Sequence, residues 1–344
     1  MLPRRLVVLA LAFTLVALVP ASAADSAPEI PPPWAYGFKE PAPVVAPPAS
    51  PAPAAAPVAP TPDPTRYGLP GTDRKFTTAE IKNIFGPADY YPEDHPTPPA
   101  IVSHGKEPIV WACARCHYAN GKGRPENAGI AGLPVDYFIE QLQAFRAGER
   151  ITSDHRKPNT KMMVEYAKAM TDDEIREAAE YYGALKWTPW IRVVETERAP
   201  KTTISAGMYL QVPGGGDEPL GNRIVEVPEN PDAVEIMRSP RVGFIAYVPV
   251  GSVQRGETLV TTGGNKTIAC LACHGPDLKG MTLDGVGTMP GLAGRSPSYL
   301  VRQLFDMKSG QRTGKRVELM KPVVAHLTPD DMLAIAAYLA SRTP

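Results

Sequence analysis

Apolar residues fall into a helical rhythm in two well-separated parts of the chain. Tyr137, Phe138, Leu142 and Phe145 form one stripe, which predicts a helix from about Val135 to Ala147. Thr171-Asp172-Asp173-Glu174 reads as a capping box. It opens a helix to about Lys186 with Ile175, Ala178, Ala179 and Tyr182 on its buried face. Far downstream, Ser296-Pro297 supplies an N-cap and a first-turn proline, and Thr328-Pro329 opens a last helix. The inner face of that last helix is Met332, Ile335, Ala336 and Leu339. A further capping box, Thr77 to Glu80, predicts a short helix through Phe85. Between the two helical parts the rhythm changes. Ile191 to Val194, Met208 to Val212, Arg223 to Val227 and Gly243 to Val248 are short β-type runs, separated by the turn-rich stretches Pro213 to Gly216 and Pro228 to Pro231. Gly214-Gly215-Gly216 is no phosphate loop, since no Lys-Ser/Thr and helix start follow it.

The two helical parts are copies of one unit. Cys113-Ala114-Arg115-Cys116-His117 recurs as Cys270-Leu271-Ala272-Cys273-His274. Ala131-Gly132, Tyr137, Gln141-Leu142, Gly148 and Arg150 recur as Ala293-Gly294, Tyr299, Gln303-Leu304, Gly310 and Arg312. Met163 recurs as Met320, and Thr171 as Thr328. Five extra residues after His274 are balanced by five fewer before Met320, so the His-to-Met separation is 46 in both copies.

The N-terminus is of another kind. Arg4-Arg5, the apolar run Leu6 to Val19 and Ala21-Ser22-Ala23 have the order of a Sec-type signal peptide over residues 1–23. The apolar run is short for a membrane span, which needs roughly 20 residues. A retained signal anchor is the alternative, and with it a membrane association. Between Pro41 and Thr65 ten residues are proline and eight are alanine, which predicts a disordered, semi-extended tether over residues 24–70. The 344 residues carry 36 basic and 36 acidic side chains. Without Arg4 and Arg5 the balance is 34 to 36, a net charge of −2. That excludes the basic surface a nucleic-acid-binding protein needs.

The four cysteines form two close pairs, each followed at once by a histidine. A disulfide framework would spread them along the chain. A redox dithiol does not require the histidine, and a zinc site would need two more ligands nearby. Cys-x-x-Cys-His is the attachment signature of haem c: two thiols bond to the vinyl groups and the imidazole reaches the iron. The expected cofactors are two covalent haem c groups, held by Cys113, Cys116, Cys270 and Cys273. His117 and His274 are the first axial ligands. Met163 and Met320 are the second, by their spacing from the histidine and from the next helix cap, with Met162 as the adjacent competitor of Met163. His/Met ligation closes both faces of an iron and raises its potential. His95, His104, His155 and His326 read as surface or loop residues, with His326 as a fallback ligand.

With these residues in place the chain resembles the class I cytochrome c fold, and in particular the dihaem cytochrome c4-like family. The likeness runs over Ala112 to Trp187 and Gln254 to Ala340. It implies two tandem cytochrome c-type haem domains (71–189 and 253–344) in a mainly α protein, while the small β-rich connector (190–252) and the Pro/Ala-rich tether lie outside the family pattern. It also implies periplasmic location, and Tyr137, Gln141, Tyr299 and Gln303 near the haem or the domain interface. Family units begin with a helix before the attachment motif, and Gln254 to Val260 can supply it in copy two. Copy one has Pro96 to Pro108 there, so either Thr77 to Phe85 substitutes or that haem is more exposed on one side.

The expected function is electron transfer between redox partner proteins, with no catalytic residue. A dehydrogenase, a cytochrome bc-type complex and a terminal oxidase are the candidate partners. A cytochrome subunit docked to a periplasmic dehydrogenase is the second reading. A dihaem peroxidase-type enzyme is the third, and the duplicated methionine argues against the open iron it needs.

Overall fold

The computed structural model describes residues 29–42 and 64–344, so the signal peptide expected at 1–23 and most of the proline-rich run lie outside the described residues. About 39% of the described residues are helical and 16% extended. Helices therefore lead, but strands hold a larger share than a mainly α protein implies.

The chain first contributes α1 (Pro33–Tyr36). Residues 29–42 were expected to be part of a free tether. Instead Ala35 and Tyr36 are buried within the core of the second helical unit, with Trp34 and Phe38 packed against it. Tyr36 donates to Asp306 at 2.7 Å, and Arg302 donates to the Ala35 carbonyl at 2.6 Å. Lys39 and Tyr209 bond this segment to the connector, and Arg156 bonds it to the first unit through the Glu40 and Pro41 carbonyls. Aromatic side chains set among the prolines explain the difference, because they give this stretch surface worth burying.

After Pro64 comes a small hairpin, Arg66–Gly68 with Lys75–Thr77, then α2 (Thr78–Lys82) capped by Thr77 and Glu80. Leu69, Ile81, Tyr90 and Tyr91 share a core with Ala233, Met237 and Val242 of the connector. This stretch, assigned by sequence to the tether up to residue 70 and to the first haem domain beyond it, thus packs with residues 190–252. The lead helix of copy one is neither α2 nor absent. It is α3 (Ala100–Ser103), four residues whose Ile101 and Val102 are buried. The Ile101 carbonyl accepts from the Cys113 N–H at 3.4 Å, as the Val260 carbonyl accepts from Cys270 at 2.9 Å in copy two.

α4 (Ala114–His117) is the first attachment turn. It is followed by α5 (Val135–Ala147), α6 (Pro158–Ala169) and α7 (Asp172–Ala184). The connector follows, with Phe244–Val248 as the centre strand of a three-stranded sheet. Ile191–Glu195 runs parallel to it on one side and Val225–Pro228 antiparallel on the other. Two small antiparallel pairs and α8 (Pro231–Glu235) complete it. Copy two is α9 (Ser252–Thr262), α10 (Leu271–His274), α11 (Pro297–Lys308), α12 (Lys315–Val324) and α13 (Pro329–Ser341). The five extra residues after His274 fall in a hairpin, Gly280–Leu283 with Gly287–Pro290, which the sequence pattern did not announce.

The repeated glycines are conformational. Gly132 and Gly294 both have φ 68°, and Gly148 and Gly310 both have φ 74°, a left-handed backbone that side chains resist. Gly132 N–H donates to the Tyr182 carbonyl and Gly294 N–H to that of Leu339, each at 2.9 Å. Gly256 serves contact instead: a Cβ there would lie 2.0 Å from the Ala334 carbonyl oxygen, where α9 crosses α13.

α13 is buried nearly all round rather than on one face. Its capping residue Asp331 is 2% exposed and pairs with Arg255 and Lys266. Burial pushes the Asp331 carboxyl up, but Lys266, the Thr328 N–H and hydroxyl, and Arg255 outweigh it and hold the pKa at about 2. The unfolded value is about 3.9. The stability this carboxylate adds is therefore present above pH ~4 and lost as pH falls toward 2. Denaturant unfolding of Asp331→Asn is expected to show lower stability than the parent at pH 7 and a smaller loss between pH ~4 and ~2.

Candidate functional site

Each attachment turn is one short helix. His117 N–H bonds the Cys113 carbonyl at 2.9 Å, and His274 N–H bonds that of Cys270 at 2.9 Å. This turn brings the first cysteine, the second cysteine and the histidine to one cavity. Cys113, Cys116, His117, Met162 and Met163 line the first cavity, of about 160 Å³. Cys270, Cys273, His274 and Met320 line the second, of about 140 Å³. Both are walled mainly by apolar side chains, among them Phe138, Leu142 and Tyr182 in the first and Leu300, Leu304 and Leu339 in the second. Met163 and Met320 each pack against the core of their own unit.

Second-layer contacts orient the imidazoles. His117 Nδ1 lies 2.8 Å from the Ala128 carbonyl, and His274 Nδ1 lies 2.8 Å from that of Pro290. A carbonyl only accepts, so Nδ1 carries the proton and Nε2 keeps its lone pair for a metal. Burial pushes both imidazole pKa values down, which keeps the rings neutral. Burial also pushes the Cys113 thiol up to about 12 and Cys270 up to about 11. A redox dithiol works through a lowered thiol pKa, so these pairs do not suit that chemistry. Among the described residues no cluster of three His, Cys, Asp or Glu side chains could hold a bare metal ion. Paired thiols, a neutral imidazole and a thioether around an apolar cavity are the donor set that fits a covalent haem.

Of the other histidines, His104, His155 and His326 are exposed, and none of the four lines either cavity. His326 has no place as a fallback ligand. His95 differs from a surface residue: its ring is buried and sits 3.4 Å from Asp89.

The two cavities share a wall. Leu133, Tyr137, Gln141, Tyr299 and Gln303 line both. Across it the repeated residues bond crosswise. Arg150 donates to Gln141 at 2.9 Å in its own unit, and to Gln303 at 2.9 Å and Tyr299 at 3.2 Å in the other. Arg312 donates to Gln303 at 2.9 Å, and to Gln141 at 2.8 Å and Tyr137 at 2.9 Å. An antiparallel bridge joins the two arginines' backbones, flanked by Ile151 N–H to the Gln311 carbonyl and Thr313 N–H to that of Glu149. Burial and the Arg312 charge push the Arg150 pKa down. For Tyr299 burial pushes the other way, but Arg150, Arg312 and Arg295 lower its pKa on balance.

Sequence reasoning found the repeat of Arg150 and Arg312 but gave it no role. It missed Arg295 altogether, which has no counterpart in copy one. Arg295 is buried, stacks over Trp187 and donates to the carbonyls of Gly129 at 2.8 Å and Ala131 at 3.0 Å in the other unit. Trp187 answers with a bond to the Ala293 carbonyl at 3.1 Å.

Comparison with known proteins agrees with this layout. A family model described as Cytochrome c matches residues 102–186 and 253–343. A thiosulfate dehydrogenase electron acceptor of Thiomonas intermedia (strain K12) is 28% identical over 242 residues, covering 68% of this chain and 80% of its own length. A cytochrome c4 of Thiocapsa roseopersicina is 41% identical over 101 residues, covering 29% of this chain and 45% of its own. A solved thiosulfate dehydrogenase of Marichromatium purpuratum aligns with a TM-score of 0.43 and 29% identity, over 69% of this chain and 38% of that one.

Arg295→Ala leaves two buried carbonyls without donors. Each costs about 1–3 kcal/mol, so stability in chemical denaturation is expected to fall by roughly 2–4 kcal/mol, with both haems retained.

Proposed function

This chain belongs to the cytochrome c family, and from that premise we propose that it accepts electrons from a thiosulfate-oxidising dehydrogenase and passes them on through two His/Met-ligated haems. It carries two covalently attached haem c groups and transfers electrons. Haem c supplies a one-electron iron couple. Cys113 and Cys116 hold the first group and Cys270 and Cys273 the second. His117 and His274 offer Nε2 to iron, while the Ala128 and Pro290 carbonyls hold the other ring nitrogen. Met163 and Met320 would supply a thioether sulfur as the second ligand, and His/Met ligation raises a haem potential. The apolar walls keep water from the iron and favour its less charged, reduced state.

The observation that carries the relay reading is the shared wall. Five side chains line both cavities, so the two cofactors are neighbours and an electron entering at one has a short path to the other. The donor is proposed from the likeness to the Thiomonas intermedia acceptor, which extends over 68% of this chain. A periplasmic setting, reached through the signal peptide, suits such a donor. A cytochrome bc-type complex or terminal oxidase is the proposed acceptor. A permanent dehydrogenase subunit is the second reading, favoured by the same likeness, and co-purification of the two proteins at a fixed ratio distinguishes it.

Met163→Ala and Met320→Ala are each expected to lower one midpoint potential, leave the other in place and open one iron to carbon monoxide. Met162→Ala is expected to do none of these. A redox titration with carbon monoxide difference spectra reads all three. Thiosulfate plus a thiosulfate dehydrogenase is expected to reduce the oxidised protein by two electrons per chain, and thiosulfate alone to leave it oxidised. Dehydrogenase turnover that bypasses this protein would remove the donor assignment while leaving the carrier.

A further inference from the structure

The cations along the two cavity walls are not alike. In the second cavity Arg295 and Arg312 hold carbonyl, amide and hydroxyl partners, and Arg316 holds Asp136, Glu140 and the Thr288 carbonyl. In the first, Arg150 holds Gln141, Gln303 and Tyr299, and Arg302 holds the Ala35 and Pro125 carbonyls. Lys157 is the exception. Its side chain lines the first cavity, the residue is 5% exposed, and its Nζ is buried with no hydrogen-bond partner.

The acids around it face other cations or donors. Glu126 lies 2.6 Å from Arg124, although neither of its buried oxygens makes a hydrogen bond, Asp154 pairs with Arg156 at 2.7 Å, and Asp306 accepts from Tyr36 and from Ser153. Arg302 adds a like charge. Copy two has no equivalent. The register of the methionines sets Gly314 opposite Lys157, and the neighbouring Lys315 is exposed and lines neither cavity.

A buried ammonium without a partner costs several kcal/mol, and a fold keeps one where an anion meets it. The cofactor of this cavity brings carboxylates. On the two-haem reading above, we propose that Lys157 is the counter-charge for a carboxylate of the haem held by Cys113 and Cys116, so that this haem alone is tuned by a buried ammonium. Lys157 is the N-cap residue of α6, the helix that carries Met163, but its side chain makes no capping bond there, which leaves the ammonium to the cavity. A fixed positive charge beside the haem favours the reduced iron, and its loss favours the oxidised one. In the cavity without an anion, burial and Arg302 hold Lys157 at about 7, against the pull of Glu126, Asp306 and Asp154. An anionic partner raises that value.

The test uses the full exported protein. Lys157→Met is expected to keep two haems per chain by pyridine haemochrome, to lower one midpoint potential and spare the other. The lowered potential is expected to gain a pH dependence between about pH 5 and 8, as the orphaned carboxylate titrates, and Lys157→Arg is expected to restore the parent value. Two unchanged potentials, with higher thermal stability from removing an unpaired buried charge, would overturn the proposal. In the reduced, diamagnetic parent, nitrogen-15 NMR of lysine side chains gives a reading that needs no variant. Lys157 Nζ staying protonated past pH 9 supports the pair, and deprotonation near pH 7 overturns it. A haem count below two in the parent would instead defeat the two-haem reading itself.

Discussion

Two guanidinium groups, Arg150 and Arg312, are buried at the join of the two units, and among the described residues no carboxylate bonds to either. Burying such a charge is unfavourable unless its hydrogen-bonding capacity is met. Here each donates to the same two glutamines, Gln141 and Gln303, and to one tyrosine of the other copy, with the buried Arg312 Nε left unbonded. The network can form in one relative placement of the units, and that placement puts the cavities back to back. The distance between electron sites is thus set by hydrogen-bond geometry rather than by the loose fit of two apolar faces. The connector and the segment Pro33–Tyr36 reinforce the same placement from behind, through Glu226 on the start of α11 and through Arg302 and Asp306.

Much of this was readable because it repeats. The glycines with matched φ, the capping threonines and the His-to-Met spacing all answer local demands: a left-handed backbone, an unpaired helix end, the span of one cofactor. Such demands leave the same residue at the same place in both copies. The helix from Val135 to Ala147 was legible to the residue, since its apolar stripe and its terminal Gly148 are both local signals.

What escaped the sequence is non-local or single. Ile191–Glu195 pairs in parallel with Phe244–Val248 some fifty residues on, and nothing near either strand specifies its partner. α3 is four residues among prolines, too short for a periodicity to show. Arg295 and Lys157 have no counterpart in the other copy, so the comparison that exposed the rest passed over them. The units match in the cysteines, histidine and methionine that line each cavity and differ in the charges around it.

The docked segment at Pro33–Tyr36 has a consequence for covalent integrity. It is joined to the rest of the fold through the proline- and alanine-rich run, yet it is also gripped by Arg302, Asp306, Tyr209, Lys39 and Arg156 contacts to residues 35–40, ahead of that run. A protease that severed the run would create a new chain end without at once separating the fragments. The nicked molecule would remain a two-piece complex, with the short piece bound as a peptide ligand is bound, and its lifetime would be governed by dissociation rather than by cleavage.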